Sequence, residues 1–243
     1  MKLNNIVFVP SVQHTGTWFT IKFLQHFFTQ RVELTSKYEL PISKRTVAHI
    51  HFPIIQQDAG FDIMGGKLYK EWKSSFETIQ SISISTILLF CNFFKTVIPV
   101  RDPMAAILSR EARHPEFRHF YIIDNFISLA TEFVNHPNIM FLPIDSVETA
   151  AEREILLEKV LEHVGVDVEP NKESLKSIAE AWLPENITPN NRFKRVYEEN
   201  DVEAAKNMLG QKWAEVEYLK NMAGVIMPFL ANLGYKREQL RLW

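Results

Sequence analysis

Two short stretches of the chain contain residue types that bind phosphate. In the first, residues 11–19, a polar turn with one glycine, Gly16, separates an apolar run from a segment whose apolar residues have helical spacing. A turn that opens a helix directs backbone N–H groups at one point, and the helix dipole makes that point positive. The stretch therefore predicts an anion site, although ordinary strand-to-helix turns share this pattern.

The second stretch places an arginine and a serine at the start of another helix. Arg101 follows the apolar residues 96–100, and Ser109 lies about two helical turns further on. Because open α/β sheets bind ligands at the carboxyl ends of their strands, a guanidinium and a hydroxyl at these positions could hold one phosphate. The alternative is that Arg101 pairs with Asp102 or a nearby loop and that Ser109 is simply a small helix residue.

The elements that position these residues follow from the hydrophobic pattern. Apolar runs rich in β-branched and aromatic residues predict strands at residues 6–10, 44–53, 95–100 and 138–144. Helical spacing predicts helices at residues 17–30, 69–91, 103–112, 119–135 and 148–164, followed by a helical region at 202–232. Polar connections are predicted at residues 31–44, 54–68 and 166–200, and 54–68 could be a mobile loop over a site.

Strands and helices alternate through residue 164, which predicts βα units and a parallel sheet. Asp102 suits the N-cap of its helix and Gly165 suits a C-cap. Pro99 is unusual for a central strand, because proline usually occurs on edge strands. We expect one α/β domain over residues 1–243, with a central parallel sheet flanked by helices and a helical C-terminal part.

The composition argues against several classes of protein. The 243 residues are 46% hydrophobic and carry a net charge of −2, so the overall charge of the protein does not favour binding to nucleic acid. Cys91 is the single cysteine and lies in an apolar run, so we expect a buried, inert thiol and a reducing compartment. No stretch reaches the roughly 18 apolar residues of a membrane helix, and residues 1–5 lead into a strand without a signal peptide. A cytoplasmic protein without membrane or nucleic-acid partners is expected.

The two stretches, with a third between them, resemble the sulfotransferases that use 3′-phosphoadenosine 5′-phosphosulfate (PAPS). The family's phosphate loop, Lys-Ser-Gly-Thr-Thr-Trp, aligns with His14-Thr15-Gly16-Thr17-Trp18-Phe19. Its later Arg-(Asp/Asn)-Pro and serine align with Arg101-Asp102-Pro103 and Ser109. Its Lys-Thr-His-Leu-Pro aligns with His49-Ile50-His51-Phe52-Pro53, and residues 228–235 resemble the end of its C-terminal helix.

The resemblance implies a P-loop-like sulfotransferase fold and a role for each matched residue. Thr15, Gly16 and Thr17 would hold the 5′-phosphosulfate of PAPS through backbone N–H groups and hydroxyls. Arg101 and Ser109 would hold its 3′-phosphate. His51 would be the general base that takes the acceptor's proton, because an imidazole titrates near working pH.

The resemblance also implies residues that would contact the adenine and the 3′-phosphate, but the alignment is less direct. Phe19 occupies the family's aromatic position, where a ring packs on adenine, and Trp18 is an adjacent competitor. A later basic loop of the family also reaches the 3′-phosphate. Arg192, Lys194 or Arg195 could supply that contact, and a solvated charged loop is the alternative reading of these residues.

The chain departs from the family at two lysines close to the transferred group, which are His14 and His49 here. A histidine supplies positive charge only when protonated. Either both act as cations, favoured by nearby phosphates, or the site is slower or inactive. A zinc site formed with His51 is the alternative, but the motifs explain these histidines without a metal.

The resemblance predicts a metal-independent transferase that moves a sulfuryl group from PAPS to a hydroxyl or amine and releases adenosine 3′,5′-bisphosphate (PAP). The acceptor, a small molecule or a glycan, is not identified by the sequence, and loops 54–68 and 113–119 would select it. The main alternative is a weak or inactive PAP-binding protein of the same fold. A nucleotide kinase is disfavoured, because the loop lacks the Gly-x-x-x-x-Gly-Lys-(Ser/Thr) pattern.

Overall fold

A five-stranded sheet forms the centre of the part of the chain that the structure describes. The structure is a computed structural model and describes residues 5–33, 45–52, 84–116, 118–182 and 191–243. The strands are β1 (Ile6–Ser11), β2 (Gln30–Glu33), β3 (Thr46–His51), β4 (Lys95–Val100) and β5 (Ile139–Pro143). Their order is β2-β3-β1-β4-β5, and every neighbouring pair is parallel. The predicted parallel α/β class is confirmed.

Helices follow the strands and dominate the C-terminal part, as predicted. In chain order they are α1 (Thr17–Gln25), α2 (Ile84–Phe93), α3 (Pro103–Arg113), α4 (Phe120–Ser128), α5 (Ala150–Val164), α6 (Lys172–Ala181), α7 (Asn191–Glu198), α8 (Val202–Leu209), α9 (Trp213–Asn221) and α10 (Ala223–Asn232). A π-helical turn, Leu129–Phe133, extends α4. The helical region predicted at 202–232 is three helices, with a 3₁₀ turn at Gly210–Lys212 between the first two.

The two faces of the sheet are buried by different helices. Alternate residues of each strand point to opposite faces, so one side chain in two belongs to each core. One core joins the strands to α1, α5 and α6 through Val7, Val9, Val47, Ile21, Leu157 and Leu175. The other joins them to α2, α3, α4 and α10 through Phe8, Ile50, Ile87, Ile107, Phe126 and Phe229. The carboxyl ends of the strands therefore open between two helical layers.

Local signals set several boundaries correctly. Asp102 caps α3 by accepting a hydrogen bond from the backbone N–H of Met104 at 3.0 Å. Gly165 ends α5 in the left-handed conformation, with φ of 74°. Cys91 is buried, and this burial raises the pKa of its thiol to about 11.

Other elements differ from the sequence prediction. The first helix ends at Gln25 rather than residue 30, and β2 begins at Gln30. Two helices, α6 and α7, lie within residues 166–200, which the sequence predicted as a connection because the stretch is polar and contains three prolines. Predictions for residues 34–44 and 53–83 lie outside the described residues.

Pro99 lies in β4, which is an interior strand rather than an edge strand. Pairing of β4 with β1 is recorded only at Lys95 and Thr96, so it ends before the proline. On its other side β4 pairs with β5 from Thr96 to Val100. The missing N–H of Pro99 is tolerated because the β1 ladder does not reach it.

Candidate functional site

The loop between β1 and α1 is shaped by two left-handed residues. His14 has φ of 64° and Gly16 has φ of 96°, and Gly16 is the N-cap of α1. A Cβ atom on Gly16 would lie 1.7 Å from the Cδ1 atom of Ile144, which follows β5. Only glycine satisfies both the backbone angle and the close packing at this position.

The hydroxyl groups of the loop form hydrogen bonds within the loop and with the end of β1. The Thr15 hydroxyl donates to the Val12 carbonyl at 2.7 Å, and the Thr15 side chain is fully buried. The Thr17 hydroxyl donates to Ser11 Oγ at 2.8 Å. These hydroxyls fix the loop, so the groups it can offer to an anion are the N–H groups at the start of α1.

A cavity of about 640 Å³ opens beside this loop. Residues from all three predicted motifs contribute to its wall, together with α1, α3 and α6. The lining residues are Gln13, His14, Gly16, Thr17, Trp18, Phe19, Lys22, Phe23, His26, His51, Ser109, Arg113, His114, Ile178, Ala181 and Trp182. The structure thus brings together His14, Gly16–Phe19, His51 and Ser109, which the sequence placed on separate elements.

The charges of the cavity wall favour an anionic ligand. Lys22 and Arg113 contribute exposed cationic side chains, and none of the lining residues is Asp or Glu. The N-terminus of α1 adds the positive end of a helix dipole. A polyanion therefore meets only neutral or positive groups along this wall.

Aromatic rings form a second part of the wall. The rings of Phe19 and Trp182 have centroids 4.3 Å apart at an angle of 31°. Trp18 is 58% exposed, and the Arg31 guanidinium lies 4.3 Å from its ring centroid. Trp182 lies far from the three motifs in sequence, and none of them predicts it at this site. Both candidates for adenine packing, Phe19 and Trp18, line the cavity.

His51 and His49 share one hydrogen-bonding partner, Ser11. Ser11 Oγ lies 3.2 Å from His51 Nδ1 and 3.3 Å from His49 Nε2. The two imidazole rings are perpendicular, with centroids 4.6 Å apart. His51 reaches the cavity, whereas His49 is 2% exposed and does not line it.

Burial keeps His14 and His49 neutral at neutral pH. Burial, reinforced by Arg110, lowers the pKa of His14 to about 3, and burial with the neighbouring His51 lowers the pKa of His49 to about 2. Ser109 Oγ lies 3.5 Å from His14 Nδ1. The predicted cationic role of both histidines stays a prediction, and it requires a ligand whose negative charge outweighs these effects.

His49 should make stability depend on pH. Its folded pKa lies below the value of about 6.5 in the unfolded chain, so protons bind the unfolded state as pH falls through 6.5 and stability is lost. A His49→Gln variant lacks this proton uptake. Below pH 6, we expect the parent to lose stability relative to the variant by about 1.4 kcal/mol per pH unit. Urea unfolding at several pH values measures this; parallel pH curves for the two proteins would contradict it.

Arg101 lies beside the cavity but is not part of its wall. Its side chain is buried, and Nε lies 3.4 Å from Asp145 Oδ2. The backbone N–H of Asp102 and the hydroxyl of Tyr235 also donate to Asp145. The contact of Arg101 with a 3′-phosphate stays a prediction.

Asp102 joins α3 to the C-terminal part of the chain. The Tyr197 hydroxyl and the Trp243 indole N–H donate to its carboxylate, the latter at 2.9 Å. Burial raises the pKa of Asp102 to about 7. The start of the helix that carries Ser109 is therefore held by residues of two other segments.

The basic residues predicted to reach the 3′-phosphate lie on α7. Lys194 Nζ lies 3.6 Å from Glu198, and Arg195 Nε lies 2.9 Å from Glu199. Neither lines the cavity, and of Arg192 the structure describes only the backbone. Their contact with a nucleotide stays a prediction.

Several residues of this site were not predicted from the sequence. Lys22 lies four residues after Trp18 and Arg113 four residues after Ser109, so helical spacing could have placed each on the cavity side. Ser11 is the register partner of His51, and this pairing could not be read before the strand register was known.

Across the described ranges, no group of three or more His, Cys, Asp or Glu is arranged to hold a metal ion. None of the helices in these ranges is both long enough and apolar enough to cross a bilayer.

Comparison with known proteins gives distant structural similarity only. No protein-family model matches the chain, and no curated protein matches it significantly. Among solved structures, the chain is similar to the mouse sulfotransferase SULT7A1 in complex with PAP, with a TM-score of 0.44 and 15% sequence identity. The similarity covers 74% of this chain and 64% of the mouse chain, which is less than two thirds of its length. The function of the present chain is therefore inferred from its own cavity.

Proposed function

We propose that the chain is a PAPS-dependent sulfotransferase that moves a sulfuryl group to a hydroxyl or amine. The observation that carries this proposal is the meeting of three motifs in one cavity, where the loop at His14–Phe19, His51 and Ser109 share a wall. Phosphate binding, base catalysis and nucleotide selection need these groups within reach of one ligand. The resemblance of the same motifs to the sulfotransferases supports this assignment.

The cavity fits the donor chemically. The close approach of Gly16 to Ile144 leaves no room for a side chain, and the first N–H groups of α1 lack partners within the helix. These groups would hold the 5′-phosphosulfate. Phe19 and Trp18 offer flat surfaces for the adenine, with Trp182 packed behind Phe19, and Ser109 offers a hydroxyl to the 3′-phosphate.

Arg113 is the cation best placed to assist Ser109. It lies one helical turn further along α3 and lines the cavity, whereas Arg101 is held by Asp145. Lys22 supplies a second cation from α1. In this assignment Arg113 shares or replaces the 3′-phosphate contacts that the resemblance implies for Arg101.

His51 is the proposed general base. Its ring lines the cavity, and its Nδ1 is held by Ser11, which leaves Nε2 as the nitrogen to take the acceptor's proton. The bound donor supplies the sulfuryl group. The residues of the chain would orient the acceptor, accept its proton and surround the transferred charge with N–H groups and cations.

Removal of the cavity cations should weaken PAP binding. We expect Lys22→Ala and Arg113→Ala each to lower PAP affinity about three- to tenfold, because each loses one partly exposed contact with a phosphate. The difference from the parent should shrink in high salt. Lys159→Ala, which removes an exposed cation of α5 outside the cavity, is the matched control for calorimetric titration. Equal affinities of all three variants would argue against these contacts.

Two measurements test the proposed function itself. Titration calorimetry with PAP and with ATP, each at the same salt concentration, compares a 3′-phosphorylated nucleotide with one that lacks this group. Tight binding of PAP and weak binding of ATP supports the proposal, and tight binding of ATP alone would favour a kinase instead. Transfer of labelled sulfate from PAPS to a panel of hydroxyl and amine acceptors tests catalysis.

A PAP-binding protein without transferase activity is the second candidate. It is favoured by the neutral state of His14 and His49, which stand where the resemblance places two lysines. Without these charges the transferred group loses stabilisation. PAP binding without sulfate transfer to any acceptor of the panel would support this candidate, and His14→Lys would then be expected to restore part of the activity.

A further inference from the structure

Ser11 lies at the centre of a small hydrogen-bonded cluster below the cavity. Its Oγ has three neighbours, which are Thr17 Oγ1 at 2.8 Å, His51 Nδ1 at 3.2 Å and His49 Nε2 at 3.3 Å. Ser11 and His51 are paired in the parallel register of β1 and β3, and His49 lies two residues earlier on the same face. The cluster is therefore built by the sheet and not by a flexible loop.

The hydrogens of this cluster follow from the capacity of one hydroxyl. A serine hydroxyl donates one hydrogen bond and accepts two. Thr17 already donates to it, so one acceptor site and one donor site remain for the two imidazole nitrogens. With both rings neutral, one facing nitrogen must carry hydrogen and the other must carry a lone pair.

The carbonyl oxygen of Ser11 favours the arrangement in which Nδ1 of His51 carries the hydrogen. It lies 3.4 Å from His51 Nδ1 and can only accept. A hydrogen on Nδ1 would face two oxygens of Ser11, whereas a lone pair there would face the carbonyl lone pairs. Nδ1 of His49 is buried without a hydrogen-bond partner among the described residues in either arrangement, so it does not reverse this choice.

We propose that Ser11 is a positioning residue that fixes the tautomer of His51, with hydrogen on Nδ1 and the lone pair on Nε2. The Ser11 hydroxyl accepts from Thr17 and from His51 and donates to Nε2 of His49. This tautomer leaves Nε2 of His51 as the basic nitrogen. Its effect on catalysis rests on the proposed function, in which His51 is the general base. The tautomer itself follows from the geometry and can be tested without turnover.

The arrangement gives His49 a role that differs from the role of the family's lysine. His49 accepts the hydroxyl hydrogen of Ser11, so the Ser11 Oγ atom can accept from Thr17 and from His51 at the same time. When His51 takes a proton at Nε2, its Nδ1–H stays bonded to the two Ser11 oxygens, so the ring need not turn during proton transfer. A lysine at position 49 could not accept this hydrogen bond.

Long-range ¹H–¹⁵N NMR of protein labelled at histidine tests the proposal at alkaline pH, with His51→Gln and His49→Gln for assignment. We expect a protonated Nδ1 and an unprotonated Nε2 for His51, and an unprotonated Nε2 for His49. Ser11→Ala loses the hydroxyl and keeps only the longer contact with the backbone carbonyl, so the His51 signals should move toward a mixture of tautomers, and Ser11→Thr should restore the parent pattern. An Nε2-protonated His51 in the parent, or no change in Ser11→Ala, would overturn the proposal.

Kinetics give the second readout. For sulfate transfer we expect Ser11→Ala to lower kcat about tenfold with KM for PAPS unchanged, because one hydrogen bond is lost in the transition state. Ser11→Thr should recover most of the rate, and Ser128→Ala on α4 is the matched control. If NMR finds the expected His51 tautomer in the parent but no sulfate transfer is detected, the proposed function is refuted and the tautomer assignment stands. An unchanged kcat in an active Ser11→Ala would overturn the positioning role.

Discussion

The Gly16→Ala variant is expected to be less stable than the parent by about 2–5 kcal/mol, because two penalties coincide at this residue. The backbone has φ of 96°, which disfavours any residue with a Cβ atom. The new Cβ would also lie 1.7 Å from Ile144 Cδ1, so the loop or Ile144 must move. Movement of the loop would displace the N–H groups at the start of α1, and we expect PAP binding to be lost.

A second glycine separates these two penalties. Gly165 has φ of 74° at the end of α5, and a Cβ atom there would meet nothing within 4 Å. Gly165→Ala should therefore show the backbone penalty alone, about 1–2 kcal/mol. In the Gly16→Ala background, Ile144→Val removes the nearest methyl group and should recover part of the loss. Chemical unfolding measures all four proteins, and a Gly16→Ala loss no larger than that of Gly165→Ala would show that Ile144 does not constrain the loop.

The second large effect is expected at His51, where the proposed function requires a base. His51→Ala should lower the rate of sulfate transfer about 10²–10⁴-fold, the usual contribution of a positioned general base. The affinity for PAP should change little, because the nucleotide contacts assigned to the loop and to α3 remain. Rates at saturating PAPS and calorimetric PAP affinity measure the two effects separately.

A histidine outside the cavity provides the control for His51. His136 precedes β5, and its Nε2 hydrogen-bonds the Asn92 side chain at 3.2 Å. His136→Ala should leave both the rate and the PAP affinity unchanged. If His51→Ala retained the parent rate, the base assignment would be wrong, and if PAP affinity fell as much as the rate, a role of His51 in nucleotide binding would replace it.

Features coded by neighbouring residues were predicted from the sequence. The alternation of strands and helices, the Asp102 cap and the Gly165 cap all depend on patterns within a few residues, and the structure confirms them. By contrast, β2 has four residues, and α6 and α7 have ten and eight. Elements this short carry too few apolar positions for their period to stand out.

Site features that depend on distant contacts were beyond prediction. The sequence placed Arg101 correctly at the end of a strand, but its partly buried partner Asp145 lies two residues after the adjacent strand, β5. The neutral state of His14 and His49 also follows from burial, which only the assembled fold determines. The shared partner Ser11 required the register of β1 and β3. The sequence therefore predicted which segments meet, and the structure supplies the contacts among them.

The aromatic residues of the cavity wall should make the intrinsic fluorescence of the protein sensitive to a bound ligand. Trp18 and Trp182 are two of the chain's five tryptophans, and both line the cavity. Indole emission depends on nearby rings, charges and water, so a purine seated against either indole would alter the intrinsic fluorescence of the protein. Trp18→Phe and Trp182→Phe would divide that signal between the exposed and the buried indole. The molecule thus carries its own reporter of ligand entry, which needs neither a label nor a turnover assay.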